Sequence, residues 1–178
     1  MAGSTEIKSG SIATIEVKVA GSSIPSDYEI ISIEVFQGIN RIPSATIVLK
    51  DGDASTGDFK VSSSDTFLPG KDIVIEAGYD STNKQIFKGM ITKQSLRVNE
   101  FEGSNLFVEC RDAAIKMTVG RKSASFSKKK DSDIITSIIG NYSGLSSDVT
   151  ATDTEWPEQI QYYCSDWDFM LSRAETNG

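Results

Sequence analysis

The sequence predicts a mainly β protein with an α+β C-terminal part: a small antiparallel β-barrel, then the start of a second, helix-containing subdomain. Three observations predict it. Apolar and polar residues alternate in short runs from Ile12 to about Ala113. Gly, Pro and Asp/Asn turn signals separate those runs. Beyond Ala113 the apolar period changes from that of a strand to that of a helix.

Residues 1–11 are small and polar and read as a flexible N-terminus. Ala13, Ile15, Val17 and Val19 then oppose Thr14, Glu16 and Lys18, the pattern of a half-buried strand, which the loop Gly21 to Asp27 ends. Tyr28 to Phe36 is the second strand, with Ile31, Ile33 and Val35 on one face. Ala45 to Lys50 is the third, with Ala45, Ile47 and Leu49 together, and Gly38 and Pro43 break the chain between the two. After the polar stretch that ends at Phe67, Pro69-Gly70 leads into a hairpin. Ile73, Ile75, Ala77 and Tyr79 share a face of its first strand, Asp80 to Asn83 form its loop, and Ile86 to Ile91 return with Gly89 as a bend or bulge. Gln94 to Val98 and Leu106 to Arg111 complete the strands, so residues 12–118 form the barrel.

Residues 119–178 are the helix-containing portion of a second subdomain, read as truncated at its C-terminus. Ile134, Ile135, Ile138, Ile139 and Tyr142 lie on one helical face. Asp131 or Ser132 is the expected N-cap, and Gly144 the expected C-terminal stop. A second helix runs over 166–176, where Trp167, Met170, Leu171 and Ala174 recur at helical spacing behind the cap Ser165.

The chain has 178 residues, 38% hydrophobic and 24% charged, enough to bury a core without disulfides. Cys110 and Cys164 stand far apart without paired spacing, and Cys110 reads as a small core residue. A net charge of −7 argues against a nucleic-acid partner. The one basic run, Lys128 to Lys130, reads as a solvated loop ahead of a helix, with contact to an acidic partner subunit as the other reading. No stretch approaches the roughly 20 apolar residues of a membrane-spanning helix, and MAGSTEIKSG lacks the apolar centre of a secretory signal, so synthesis in the cytoplasm is expected.

The chain has no histidine, which removes the Ser-His-Asp and Cys-His nucleophilic systems and most zinc sites. Asp51, Asp53 and Asp58 imitate the start of a calcium loop. Thr56 stands where that loop needs glycine and Ser62 where it needs a bidentate glutamate, so an exposed turn is expected. The sequence has no Walker loop, dinucleotide fingerprint or nucleophile elbow. Glu155 and Glu158, or Asp166 and Asp168, could be cast as glycosidase pairs, but Asp166 and Asp168 flank a helix start, where negative charge is favourable anyway. The aromatics Trp156, Tyr162, Tyr163, Trp167 and Phe169 are expected in a core or a subunit interface rather than on a sugar-binding face. The residues thus nominate no catalytic, cofactor-binding or metal-binding position and no cofactor. Enzyme readings shrink to carboxylate, lysine or tyrosine mechanisms, and a non-enzymatic protein is expected.

Four blocks carry a family resemblance: NRIPSATIVLKDGD from Asn40, the hairpin LPGKDIVIEAGYDSTNKQIFKGMI from Leu68, LFVECRDAAIKMTVGRKS from Leu106, and QYYCSDWDFMLSRAETNG from Gln161. Together, over about Val17 to Gly178, they resemble the N-terminal region of VgrG, the valine-glycine repeat spike protein of type VI secretion and related contractile injection machines. That resemblance implies a phage-baseplate-hub-like structural protein, trimeric in its full-length form, that adapts a hexameric tube to a membrane-puncturing tip. The implied partners are itself, an Hcp-like tube protein, baseplate proteins and effectors, with membrane contact only through the assembled tip and delivery by the apparatus. Phage tail hubs and late control proteins share the block. A β-sandwich adhesin or carbohydrate-binding module is the alternative of another class, and would place tryptophans on barrel strands. A peptidoglycan-cleaving fusion would lie beyond this chain.

Overall fold

The computed structural model describes residues 12–52, 57–80, 82–99 and 103–178, and the chain divides into two compact units between Asp112 and Ala113. The N-terminal stretch 1–11, Asp53 and Thr56 lie outside the described residues.

The first unit is one antiparallel sheet of seven strands: β1 (Ala13–Val19), β2 (Ser22–Ser23), β3 (Ile30–Phe36), β4 (Ser44–Lys50), β5 (Asp72–Tyr79), β6 (Thr82–Asn99) and β7 (Gly103–Arg111), in the order β2-β1-β5-β6-β7-β4-β3. One cluster takes its side chains from every strand but β2: Val17, Ile75, Ile91, Val108 and Ile47 are buried in it, and Ile33 and Val35 pack against it. A flat sheet of this width could not bring strands near both ends onto one core, because neighbouring strands are about 4.8 Å apart. The sheet curls instead, and Gln37, just past β3, donates through Nε2 to the Ile86 carbonyl of β6 at 3.0 Å. Val61 and Phe67, from the irregular segment between β4 and β5, join the same cluster. Each fully buried Leu, Ile or Phe contributes about 1.5–3 kcal/mol of burial.

The structure departs from the sequence pattern in four places, each for a reason of backbone geometry. Ile31 does not share the inward face with Ile33 and Val35, because a bulge between Ile30 and Ser32 turns it out to solvent and leaves Ile30 on the core side. The expected strands 86–91 and 94–98 are one continuous β6. A bulge at Thr92 resets the side-chain phase without ending the strand, which the change of pattern had made look like two. The hairpin loop is also tighter than Asp80 to Asn83, since Thr82 already pairs with Tyr79. Gly89 sits at a regular position where a Cβ would lie 2.2 Å from the Arg111 carbonyl oxygen, so it serves close backbone approach rather than a bulge.

The second unit contains a short 3-10 helix (Ala113–Thr118), β8 (Lys122–Lys130), α1 (Asp131–Ile139), β9 (Glu155–Cys164) and α2 (Asp166–Thr176). Strands β8 and β9 form an antiparallel two-stranded ribbon. Met117, Ile134, Ile138 and Phe169 make the buried core, and the Phe126 ring of β8 stacks on Phe169 with centroids 5.8 Å apart. Helix α2 has the expected bounds and cap, with Ser165 Oγ accepting the Asp168 N–H at 3.1 Å. Helix α1 differs at both ends. Lys130 occupies its N-cap without a side-chain cap, while Asp131 is already helical, and the helix ends before Gly140 rather than at Gly144.

Candidate functional site

Two buried carboxylates organise the second unit. Asp131, 1% exposed, opens α1 directly behind β8. Its Oδ1 accepts from Arg173 Nε at 2.7 Å, and its Oδ2 accepts from Arg173 Nη2 at 2.9 Å, Trp156 Nε1 at 3.0 Å and Asn177 Nδ2 at 3.0 Å. One carboxylate therefore joins the start of α1, the start of β9 and the end of α2. The Arg173 guanidinium is the chief reason that its pKa falls to about 2 despite burial, with Asn177 and Trp156 adding to the effect.

Asp166 makes the corresponding node at the other end of β9. Oδ1 accepts from Gln161 Nε2 at 2.8 Å, and Oδ2 accepts from Lys122 Nζ at 2.7 Å and Tyr142 Oη at 2.6 Å. Burial opposes its charge, yet Gln161, Lys122 and Tyr142 together hold the carboxyl below its ordinary range. Burial first, and then the bond to Asp166, push the Tyr142 phenol up. Asp166, in the first turn of α2, is thus a satisfied structural anion. Asp168, at the same helix start, receives the Ser165 hydroxyl at 2.6 Å.

In the first unit, Asp51 and Asp58 of the calcium-like spacing both bind backbone N–H groups, and Asp51 is buried rather than on an exposed turn. Asp51, 3% exposed, accepts the N–H groups of Gly52 and Val61, both at 2.9 Å, and of Ser62 at 2.7 Å. Burial works against the charge, but the Ser62 hydroxyl and these N–H groups hold the carboxyl down. Asp58 accepts the N–H of Phe59 at 2.8 Å. Among the described residues no group of three His, Cys, Asp or Glu side chains is placed to hold a metal ion. Both cysteines are free, and burial raises the Cys110 thiol to about 12.

With these anions engaged internally, what the second unit offers outward is surface. Lys128 to Lys130 are not a loop but the last residues of β8. Tyr162 and Ile160 on β9 are 82% and 61% exposed and Tyr163 is also mostly exposed, so of the two places expected for these tyrosines, a core or a subunit interface, the core is not where they lie. Trp156 and Trp167 are half-buried and Phe169 is core, which leaves only part of the aromatic set inside. A groove of about 740 Å³ runs along α1 and α2, lined by Ile135, Ile139, Val149, Met170, Ala174 and Asn177. Periodicity missed the ribbon because β8, with Phe126 as its main apolar side chain, shows no alternation, and β9 contains Pro157. The available signal was the aromatic content of β9.

The family model described as the Alg8 N-terminal domain matches residues 9–178. The chain belongs to the Alg8 N-terminal domain family. No match to a curated protein was found. Among solved structures, the chain is similar to the c3393 protein of E. coli, described as a component of the type VI secretion system with structural similarity to the T4 bacteriophage tail proteins gp27 and gp5. That pair is 14% identical with a TM-score of 0.65, over 87% of this chain and 41% of that one. The prophage MuSo2 43 kDa tail protein of Shewanella oneidensis is 10% identical with a TM-score of 0.67, over 93% and 48% of the two chains. The Francisella PdpA-VgrG complex matches at 17% identity and a TM-score of 0.55, over 93% of this chain and 25% of that one. This member of the family therefore has the fold of tail and secretion hub proteins, and it spans less than half the length of these three relatives.

Proposed function

We propose that this chain is the N-terminal hub part of a VgrG-type spike in a contractile injection machine, a non-enzymatic piece that adapts a hexameric tube to the puncturing tip. The observation that carries the reading is the extent of the likeness. Both units together, 87% and 93% of the chain, follow the fold of a type VI secretion component and of a phage tail protein. The two buried carboxylates also favour it. Asp131 and Asp166 spend their acceptor capacity on internal donors, which suits a part that must transmit load without losing its shape.

In this reading the full-length protein is a homotrimer, made in the bacterial cytoplasm and delivered by the apparatus, with an Hcp-like tube protein, baseplate proteins and effectors as partners. A phage tail hub of the same architecture is the runner-up, and the fold suits both. The test is to express the full-length gene product, measure its mass by light scattering, and co-purify it with an Hcp-like tube protein from the same organism. A trimer that retains the tube protein is expected. A strictly monomeric full-length product that ignores the tube protein would overturn the reading.

A further inference from the structure

We propose that residues 59–67 are a removable strap over one end of the first unit's core, latched by Asp51, which opens while every strand of the sheet stays paired. The inference rests on the first unit alone and stands apart from the hub reading.

The strap belongs to the core without belonging to the sheet. Phe67 and Val61 are 0% and 5% exposed and complete the buried cluster, and the Phe67 ring stands 6.2 Å from that of Tyr28. Yet among the described residues no backbone-to-backbone hydrogen bond joins 59–67 to a strand. Ser63 and Ser64 donate to the Phe59 and Val61 carbonyls, inside the segment itself. Side chains hold it to the rest of the unit instead. Val61 and Ser62 give their N–H groups to Asp51, the Tyr28 hydroxyl meets Ser64 Oγ and Thr66 Oγ1, both at 3.2 Å, and Gln94 Nε2 donates to the Ser62 carbonyl at 3.4 Å. Two further contacts, Lys60 with Asp27 and Lys71 with the Asp65 carbonyl, are exposed.

Both ends of the strap can turn. Gly57 (φ 69°) and Gly70 (φ 95°) flank it in the left-handed region, each with open space where a Cβ would stand. Past that point the backbone is fixed again, since Gly70 donates to the Ile91 carbonyl at 2.8 Å and β5 begins at Asp72. Swinging the strap out removes two buried apolar side chains from the core and breaks the side-chain bonds just named, but it breaks no ladder bond. A segment held by so few groups opens at a lower free energy than the sheet it covers. Asp51 is the latch because it is buried, receives two consecutive N–H groups of the strap, and is itself tied to the sheet by its own N–H, which donates to the Ser104 carbonyl at 3.0 Å. Opening uncovers an apolar end of the core with all seven strands in place.

The test is native-state hydrogen exchange of the 178-residue chain, read amide by amide by NMR at rising urea below the unfolding transition. The amides of Val61, Ser62, Ser63 and Ser64 should share one opening, exchange at least about tenfold faster than those of Ile47 and Val108 in the central strands β4 and β7, and depend little on urea, because little surface is exposed. Asp51→Ala should speed exchange at Ser63 and Ser64 about thirtyfold. These two amides donate within the strap, so their acceleration reads its release and not the loss of their own acceptor. Tyr28→Phe, a milder change that removes the contacts to Ser64 and Thr66, should speed the same amides several-fold and keeps the test open where the Asp51 variant does not fold. Exchange of the four amides at the rate and urea dependence of Ile47 and Val108 would overturn the proposal, since the segment would then move only with the whole sheet. Unchanged Ser63 and Ser64 rates in a folded Asp51→Ala would overturn the latch.

Discussion

Replacing Asp131 by Asn tests whether one carboxylate holds the second unit together. Asp131→Asn keeps the shape of the side chain but removes the anion that accepts four hydrogen bonds and pairs with Arg173, whose side chain is only 14% exposed. Breaking one side of a buried ion pair costs about 3–5 kcal/mol, because the remaining charge is left without its partner. Linkage gives a second, independent figure. The carboxyl is lowered from 3.8 to about 2, which corresponds to roughly 2.5 kcal/mol of pH-dependent stability. The folded-state value is depressed, so this contribution is fully present above the unfolded value near 3.8 and is lost as the pH falls toward 2. Both tryptophans of the chain, Trp156 and Trp167, lie in this unit, so urea unfolding followed by tryptophan fluorescence reports on it directly. The expected result is a fall of about 3 kcal/mol at neutral pH that shrinks on acidification from pH 4 to pH 2. The double variant D131L/R173M should recover much of the loss, since an apolar pair leaves no stranded charge. A single variant within about 0.5 kcal/mol of the parent at pH 7 would refute the reasoning.

Three further outcomes follow from particular contacts. Gly89→Ala should destabilise the first unit by more than about 3 kcal/mol or prevent its folding, because the added carbon would meet the Arg111 carbonyl oxygen at 2.2 Å; thermal unfolding by circular dichroism checks it. Asp51→Ala should cost about 2–3 kcal/mol by leaving the N–H groups of Gly52, Val61 and Ser62 without their acceptor, measured by urea titration. Cys110, buried and with a thiol pushed up to about 12, should resist alkylation at pH 8 in the native protein and react once urea unfolds the first unit, as mass spectrometry would show.

The sequence alone determined the strands whose side chains sort by face. Ala45, Ile47 and Leu49 alternate because one face of β4 meets the core, and α2 shows its cap and apolar stripe because helical packing demands both. It also determined the chemistry to be excluded, since a chain without histidine cannot build histidine-dependent sites. Tertiary structure decided what periodicity cannot carry. A bulge at Thr92 lets one strand change phase and go on, and Gly89 is required by a backbone 22 residues further along the chain. The ribbon of β8 and β9 escaped notice because a strand covered on only part of one face needs no apolar alternation, so its residues are chosen for other reasons. The roles of Asp131 and Asp166 were equally invisible. Each looks like an ordinary helix-start acid until folding brings Arg173, Trp156 and Asn177 to one, and Lys122, Tyr142 and Gln161 to the other. Donors so distant in sequence converge only through the fold, because long-range electrostatic pairing leaves no local pattern in the chain.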